Sequence, residues 1–155
     1  MKKKIVLMLS RVFPITHSRK GEPTDFAYKL KFNEKIHTIR RNFDLWKVNA
    51  EKMERSKFYL SVRQWSGKPY KSRQTEIAQI YNAIGVQSIE LYYHADNNTI
   101  TAKIDGRNWL DADCSLIAKN DGLNTKDFKE WFFGVEPKED KIFNGVIIHF
   151  TNFRY

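Results

Sequence analysis

Residues 34–42 read EKIHTIRRN, with Lys35, His37, Thr38, Arg40 and Arg41 crowded together and only Ile36 and Ile39 apolar. Two chemistries suit such a set. Lysine and arginine grip phosphate oxygens, arginine through a rigid fork of donors. Alternatively, a threonine hydroxyl becomes a nucleophile when a neighbouring base takes its proton. Lys35 can act as that base if its pKa falls, and partial burial beside Arg40 and Arg41 pushes it down. A carboxylate would then orient the pair. Lys35 and Thr38 are three apart, so a regular strand sets them on opposite faces, whereas a turn or helix lets them meet. Local chemistry alone favours a capped turn whose Lys and Arg bind phosphate.

A second dense patch, RQWSGKPYKSRQ, interleaves Arg63, Lys68, Lys71 and Arg73 with Trp65 and Tyr70. Cations there would neutralise phosphates while rings stack on bases, each stack being worth about 1–3 kcal/mol. The competing reading is a hairpin with Trp65 in the core and solvated cations. Charge placement supports an anionic partner: residues 1–75 hold 19 Lys and Arg against 6 Asp and Glu, whereas residues 76–155 hold 8 against 12. RNA or a nucleotide is the expected ligand.

Other chemistries find little support. His17, His37, His94 and His149 are not spaced with one another or with Cys114 as metal ligands, so no metal site is expected. His149, in VIIHF, reads as a satisfied strand histidine. GKPYKS lacks the spacing of a phosphate loop, no nucleophile elbow is present, and no motif calls for a cofactor. A single cysteine fits a reducing, cytoplasmic setting. The apolar run IVLML is too short for a secretion signal and reads as a buried strand, Ile5–Leu9. No segment suggests a membrane span.

These residues must be positioned by one domain covering 1–155, with 14% aromatic residues for its core. KKIVLML, KFYLSVRQW, QTEIAQIYN, VQSIELYYH, TITAKID and NGVIIHFTNF read as strands. Thr24 is expected to cap a short helix through Phe32. A second helix is expected over NFDLWKVNAEKMERS, with Asp44 as N-cap and a Phe43–Val48 staple. The clearest helix is NTKDFKEWFFG, capped by Asn124, stapled by Leu123 and Phe128, and ended by Gly134. About six short strands and two to four helices predict an α+β fold. Its expected form is a small mixed or antiparallel β-barrel with flanking helices.

KIHTIRRN resembles the K-x-x-T-x-R signature of ASCH domains, relatives of the PUA fold. FPITHSRKGEPTDF is similar to the segment by which the chain enters the barrel in that family. IAKNDGLNTKDFKEWF resembles its DG turn and aromatic-rich helix, and GVIIHFTNFRY its closing strand. The resemblance implies a β-barrel with helices beside a cleft, and RNA or nucleotide binding. Some small bacterial members are amidohydrolases that deacetylate acetylcytidine with a Thr nucleophile, a Lys and a Glu. Their Lys and Thr match Lys35 and Thr38. Their Glu falls near Asp121, one methylene shorter. DLWKVNAEKM and RQWSGKPYKSRQ are additional to those minimal enzymes.

The leading expectation is therefore an RNA-directed binding domain. Lys35, Arg40, Arg41, Arg63, Lys68 and Arg73 would meet phosphate, and Trp65 and Tyr70 would stack. The alternative is an amidohydrolase acting on an acylated pyrimidine nucleoside through Lys35, Thr38 and Asp121, with Arg40 stabilising the oxyanion.

Overall fold

Strand ladders and caps were traced in a computed structural model that describes residues 1–111 and 113–155. Among these residues the chain forms eight strands in two sheets, with four helices. The smaller sheet has the order β1-β3-β4, from Lys3–Met8, Phe58–Trp65 and Gln74–Ile80. β1 runs parallel to β3, and β4 returns antiparallel with a register shift between Val62 and Arg63. The larger, antiparallel sheet has the order β2-β8-β5-β6-β7, from His37–Arg40, Lys141–His149, Gly85–His94, Thr99–Ile104 and Arg107–Trp109. The α+β class holds. The expected closed barrel does not: no ladder joins the two sheets among the described residues.

Period-two patterning explains most strands. In β5 and β6 buried and half-buried residues alternate, so Ile89, Leu91 and Tyr93 face Ile100, Ala102 and Ile104 in one core. β1 is less buried than expected, because Val6 points outward while Leu7 points inward. The core also takes Trp46, Ala50 and Met53 from α2 (Phe43–Glu54) and Phe128 and Phe133 from α4 (Thr125–Phe133). Burying each large apolar side chain contributes about 1.5–3 kcal/mol.

Caps account for the helix boundaries. The Asn124 side chain accepts from Asp127 N, and Gly134 takes a left-handed backbone after the last turn, as its sequence predicts. α2 is capped by Asn42, whose side chain accepts from Leu45 N, rather than by Asp44; Val48 is exposed and forms no staple. α1 (Phe26–Lys31) begins after a left-handed Asp25, which is its N-cap in place of Thr24; the Thr24 hydroxyl donates to Ser10 O at 2.8 Å and accepts from Phe26 N at 3.4 Å. A short α3 (Ser115–Asn120), absent from the sequence reading, starts at Cys114 without a side-chain cap. Cys114 is fully buried, and burial raises its thiol to about 12.

The segment before β2 is where these elements converge. Lys35 N donates to Lys29 O at the end of α1, and Ile36 N to Asn120 O at the end of α3. Phe150 N, beyond β8, donates to Ile36 O. Lys35 and Asp121 form an isolated antiparallel bridge.

Candidate functional site

Lys35 is 1% exposed. Its ammonium donates to the carbonyl oxygen of Asp121 at 2.6 Å and to Asp121 Oδ1 at 3.0 Å, and it sits 4.2 Å from the centroid of the Phe26 ring. Carbonyl, carboxylate and ring face all favour the charged amine in a dry place. Burial nevertheless wins, lowering Lys35 to about 8 against the opposing pull of Asp121. Burial also works to raise the Asp121 carboxyl, but Lys35 and His37 outweigh it and hold the group below the usual carboxylate range.

Gly122 makes this packing possible. Its φ of 83° is left-handed, and a Cβ there would lie 3.2 Å from Lys35 Cβ and 3.4 Å from Lys29 Cδ. Lys29 caps the turn by donating to Gly122 O at 2.7 Å. A hollow of about 440 Å³ opens at this turn, lined by Lys29, Asn33, Lys119, Asn120 and Gly122.

The pairing extends inward. His37 Nδ1 lies 3.4 Å from Asp121 Oδ1, near enough for electrostatic contact but without hydrogen-bond alignment. His37 Nε2 is 2.7 Å from the Tyr155 hydroxyl, which also accepts from Asn120 Nδ2 at 3.0 Å. Asn120 can only donate there, so the tyrosine proton points to Nε2 and the neutral imidazole carries its hydrogen on Nδ1, facing Asp121. Burial lowers the pKa of His37 and takes His149 down to about 3, favouring neutral rings. His149 Nε2 pairs with Gln87 Oε1 at 2.9 Å, but its Nδ1 has no partner among the described residues, so it is half satisfied.

Thr38 does not join Lys35 directly. β2 is a regular strand from His37, so Thr38 shares a face with Arg40 while His37 turns to the opposite side. The Thr38 hydroxyl, in a residue 2% exposed, accepts from Arg40 Nη1 at 2.8 Å. Arg40 also donates to Ile39 O and, at 2.6 Å, to Met8 O, tying β2 to β1 of the other sheet. Its guanidinium is thus committed inside the protein. Arg41 is exposed and lies over the Phe143 ring at 4.6 Å, on the five-stranded sheet.

The second patch forms the tip of the β3–β4 hairpin. Ser66 N donates to Arg73 O, Gly67 N to Ser72 Oγ, and Ser72 Oγ to Lys68 O, so the turn is braced from within. Trp65 is half-buried, with its ring 5.2 Å from that of Tyr70. Tyr70 is 89% exposed and has a φ of 62°. Lys68, Lys71 and Arg73 belong to the same turn and are exposed. Arg63 is different: it donates to Ser61 Oγ at 2.9 Å and pairs with Glu76 at 3.7 Å.

The structure thus brings Lys35 and Asp121 together, bonds Thr38 to Arg40 rather than to either of them, and leaves Trp65, Lys68, Tyr70 and Arg73 grouped at the hairpin tip. His37, Asn120 and Tyr155 are members of the buried network that sequence reasoning missed. The alternation Lys35, His37, Ile39 against Thr38, Arg40 was the available signal for His37; nothing local marks Tyr155. No family model, curated protein or solved structure matches the chain. No helix among the described residues is long and apolar enough to cross a membrane.

Proposed function

We propose that the protein binds single-stranded RNA through the tip of the β3–β4 hairpin. One observation carries this reading: Tyr70, almost wholly exposed and beside Trp65, is held in left-handed backbone among Lys68, Lys71 and Arg73. That backbone costs a non-glycine residue about 1–2 kcal/mol. Nine non-glycine residues among those described have positive φ, and Tyr70 is the aromatic one; there the backbone fixes an exposed ring before the ligand arrives. An exposed ring flanked by cations meets a base with its face and the adjoining phosphates with its neighbours. The basic first half of the chain supports the same reading.

Fluorescence anisotropy with a labelled oligoribonucleotide tests it. Three phosphate contacts predict a slope of log K against log salt of about −2 for a single strand. Tyr70→Ala should weaken binding about fivefold or more. Absence of binding at low salt, salt-insensitive affinity, or a Tyr70→Ala variant that binds like the parent would overturn the reading. Equal or tighter binding to the matching oligodeoxyribonucleotide would remove the preference for RNA.

The buried Lys35–Asp121 pair favours a second reading, an amidohydrolase acting on an acylated pyrimidine nucleoside. Thr38 Oγ would attack the amide carbonyl as Lys35, lowered to about 8, takes its proton; the C–N bond would then break as Lys35 passes that proton to the departing nucleoside amine, and water would hydrolyse the acyl-Thr38 ester. The Thr38 hydroxyl, however, is shielded and committed to Arg40, so binding is the reading carried forward. Incubation with acetylcytidine separates the two, since turnover lost in Thr38→Ala would reinstate the enzyme.

A further inference from the structure

We infer that the bound strand continues from the hairpin tip along the outer face of the three-stranded sheet to a second stacking station at Tyr59 and Tyr81. This rests on the nucleic-acid reading above and adds the path and length of the ligand. Along β3 Leu60, Val62 and Gln64 point to the core, so by alternation Tyr59, Ser61, Arg63 and Trp65 lie on the opposite face, where Tyr59, Arg63 and Trp65 are half-buried and Ser61 is covered, its hydroxyl bonded to Glu76 and Arg63. The ladders carry that face sideways, with Lys4 opposite Tyr59, and Val6 and Gln79 flanking Ser61. Tyr81, just beyond β4, stacks on Tyr59 with centroids 5.2 Å apart and planes 19° from parallel.

Tyr81 is 51% exposed, and Lys2 Nζ lies 5.5 Å from its ring centroid. Lys2 is itself exposed, so a base can displace it from the ring and leave the ammonium beside the adjoining phosphate. The carboxylate on this path, Glu76, is already engaged by Ser61, Arg63 and Gln79. Cations therefore mark both ends, Lys2 and Lys4 at one and Lys68, Lys71 and Arg73 at the other. A single strand fits better than a protein partner. The face offers rings and ammonium groups, with Val6 as its exposed aliphatic in β1. A duplex would present no free base faces to the rings.

Six residues of β3 separate Tyr59 from Trp65, about 20 Å at strand rise. A stacked strand rising about 3.4 Å per nucleotide covers that span in about six nucleotides. Oligouridylates of about four and about twelve nucleotides bracket the length, within the site sizes usual for single-strand binders. The parent protein should bind the longer one more tightly. Tyr81→Ala combined with Lys4→Ala should weaken the longer one about fivefold or more while leaving the shorter unchanged, and Tyr81→Phe should retain full binding. If the double variant binds the longer strand like the parent, the path is wrong, yet loss on Tyr70→Ala would keep the hairpin reading alive. If the parent binds neither oligonucleotide at low salt, both fall. If Tyr81→Ala converts a dimer to a monomer in sedimentation, the face is a protein contact and the inference fails.

Discussion

Lys35 holds its proton less tightly in the folded protein, at about 8, than the usual 10.5 of a free lysine side chain. Between those values the unfolded chain binds more protons, so stability rises with pH across the window. Below about pH 8 the burden of the buried amine is fully present; above 10.5 it is gone. The gap of about 2.5 pH units corresponds to about 3 kcal/mol in full and to about 2 kcal/mol between pH 8 and pH 10. Lys35→Met removes the titrating group. It also leaves the Asp121 carboxylate buried without its amine, at a cost of about 3–5 kcal/mol, so the pH profile rather than absolute stability is the readout. Tyr93, Tyr155 and Cys114 also have raised pKa values, but they titrate in both proteins and cancel in the difference. Urea unfolding across this range should show the parent's midpoint gaining about 1 M on the variant's. Lys35→Met with Asp121→Asn, which removes both charges, should recover most of the loss at neutral pH. Parallel profiles for parent and Lys35→Met would refute the assignment of a depressed pKa to a buried Lys35.

Tyr70→Gly should relieve left-handed strain and raise the melting temperature while weakening RNA binding, an opposition that calorimetry and anisotropy together detect. Gly145→Ala should cost about 1–3 kcal/mol in urea unfolding, because its Cβ would collide with the Arg40 carbonyl and the Phe143 ring; Gly85→Ala should cost less, because the nearest atoms its Cβ meets are the far end of the Arg154 side chain, which can swing aside by giving up its bonds to Thr151 O and Phe153 O. Glu130 accepts from Ser18 N at 3.1 Å, and Ser18 outweighs burial to hold its pKa below the usual 4.5. Its stabilising contribution is present above pH 4.5 and is lost as pH falls through the folded value, so Glu130→Gln should lower stability at neutral pH and flatten the acid limb of the urea midpoint.

Elements with local causes could be read from the sequence. α4 has its cap, Asn124, and its glycine stop, Gly134, within eleven residues, so no distant contact was needed to place it. β5 and β6 were visible because alternation is intrinsic to a strand with one buried face. α3 was hidden because its start at Cys114 has no capping side chain and six residues give too little periodicity. Barrel closure was misjudged for a different reason: strand count says nothing about which edges meet, and β1 pairs in parallel with β3 across the intervening α1, β2 and α2. The site divided in the same way. Density of Lys and Arg around Trp65 and Tyr70 marked the hairpin, and turn residues Gly67 and Pro69 placed its tip. Arg40 and Arg63 looked equally available for phosphate, but their partners Met8 and Glu76 are set by tertiary structure. Asp121, 86 residues from Lys35, emerged only through the resemblance of the DG turn.

The sole sulfhydryl offers an experimental handle that requires no engineering. Cys114 lies out of reach of solvent beneath Ile100, with its proton tightly held. A maleimide or iodoacetamide reagent can alkylate it only in molecules that have transiently opened. Labelling rate followed by mass spectrometry therefore reads the opening equilibrium of the native protein directly, and a bound oligonucleotide should slow it in proportion to occupancy.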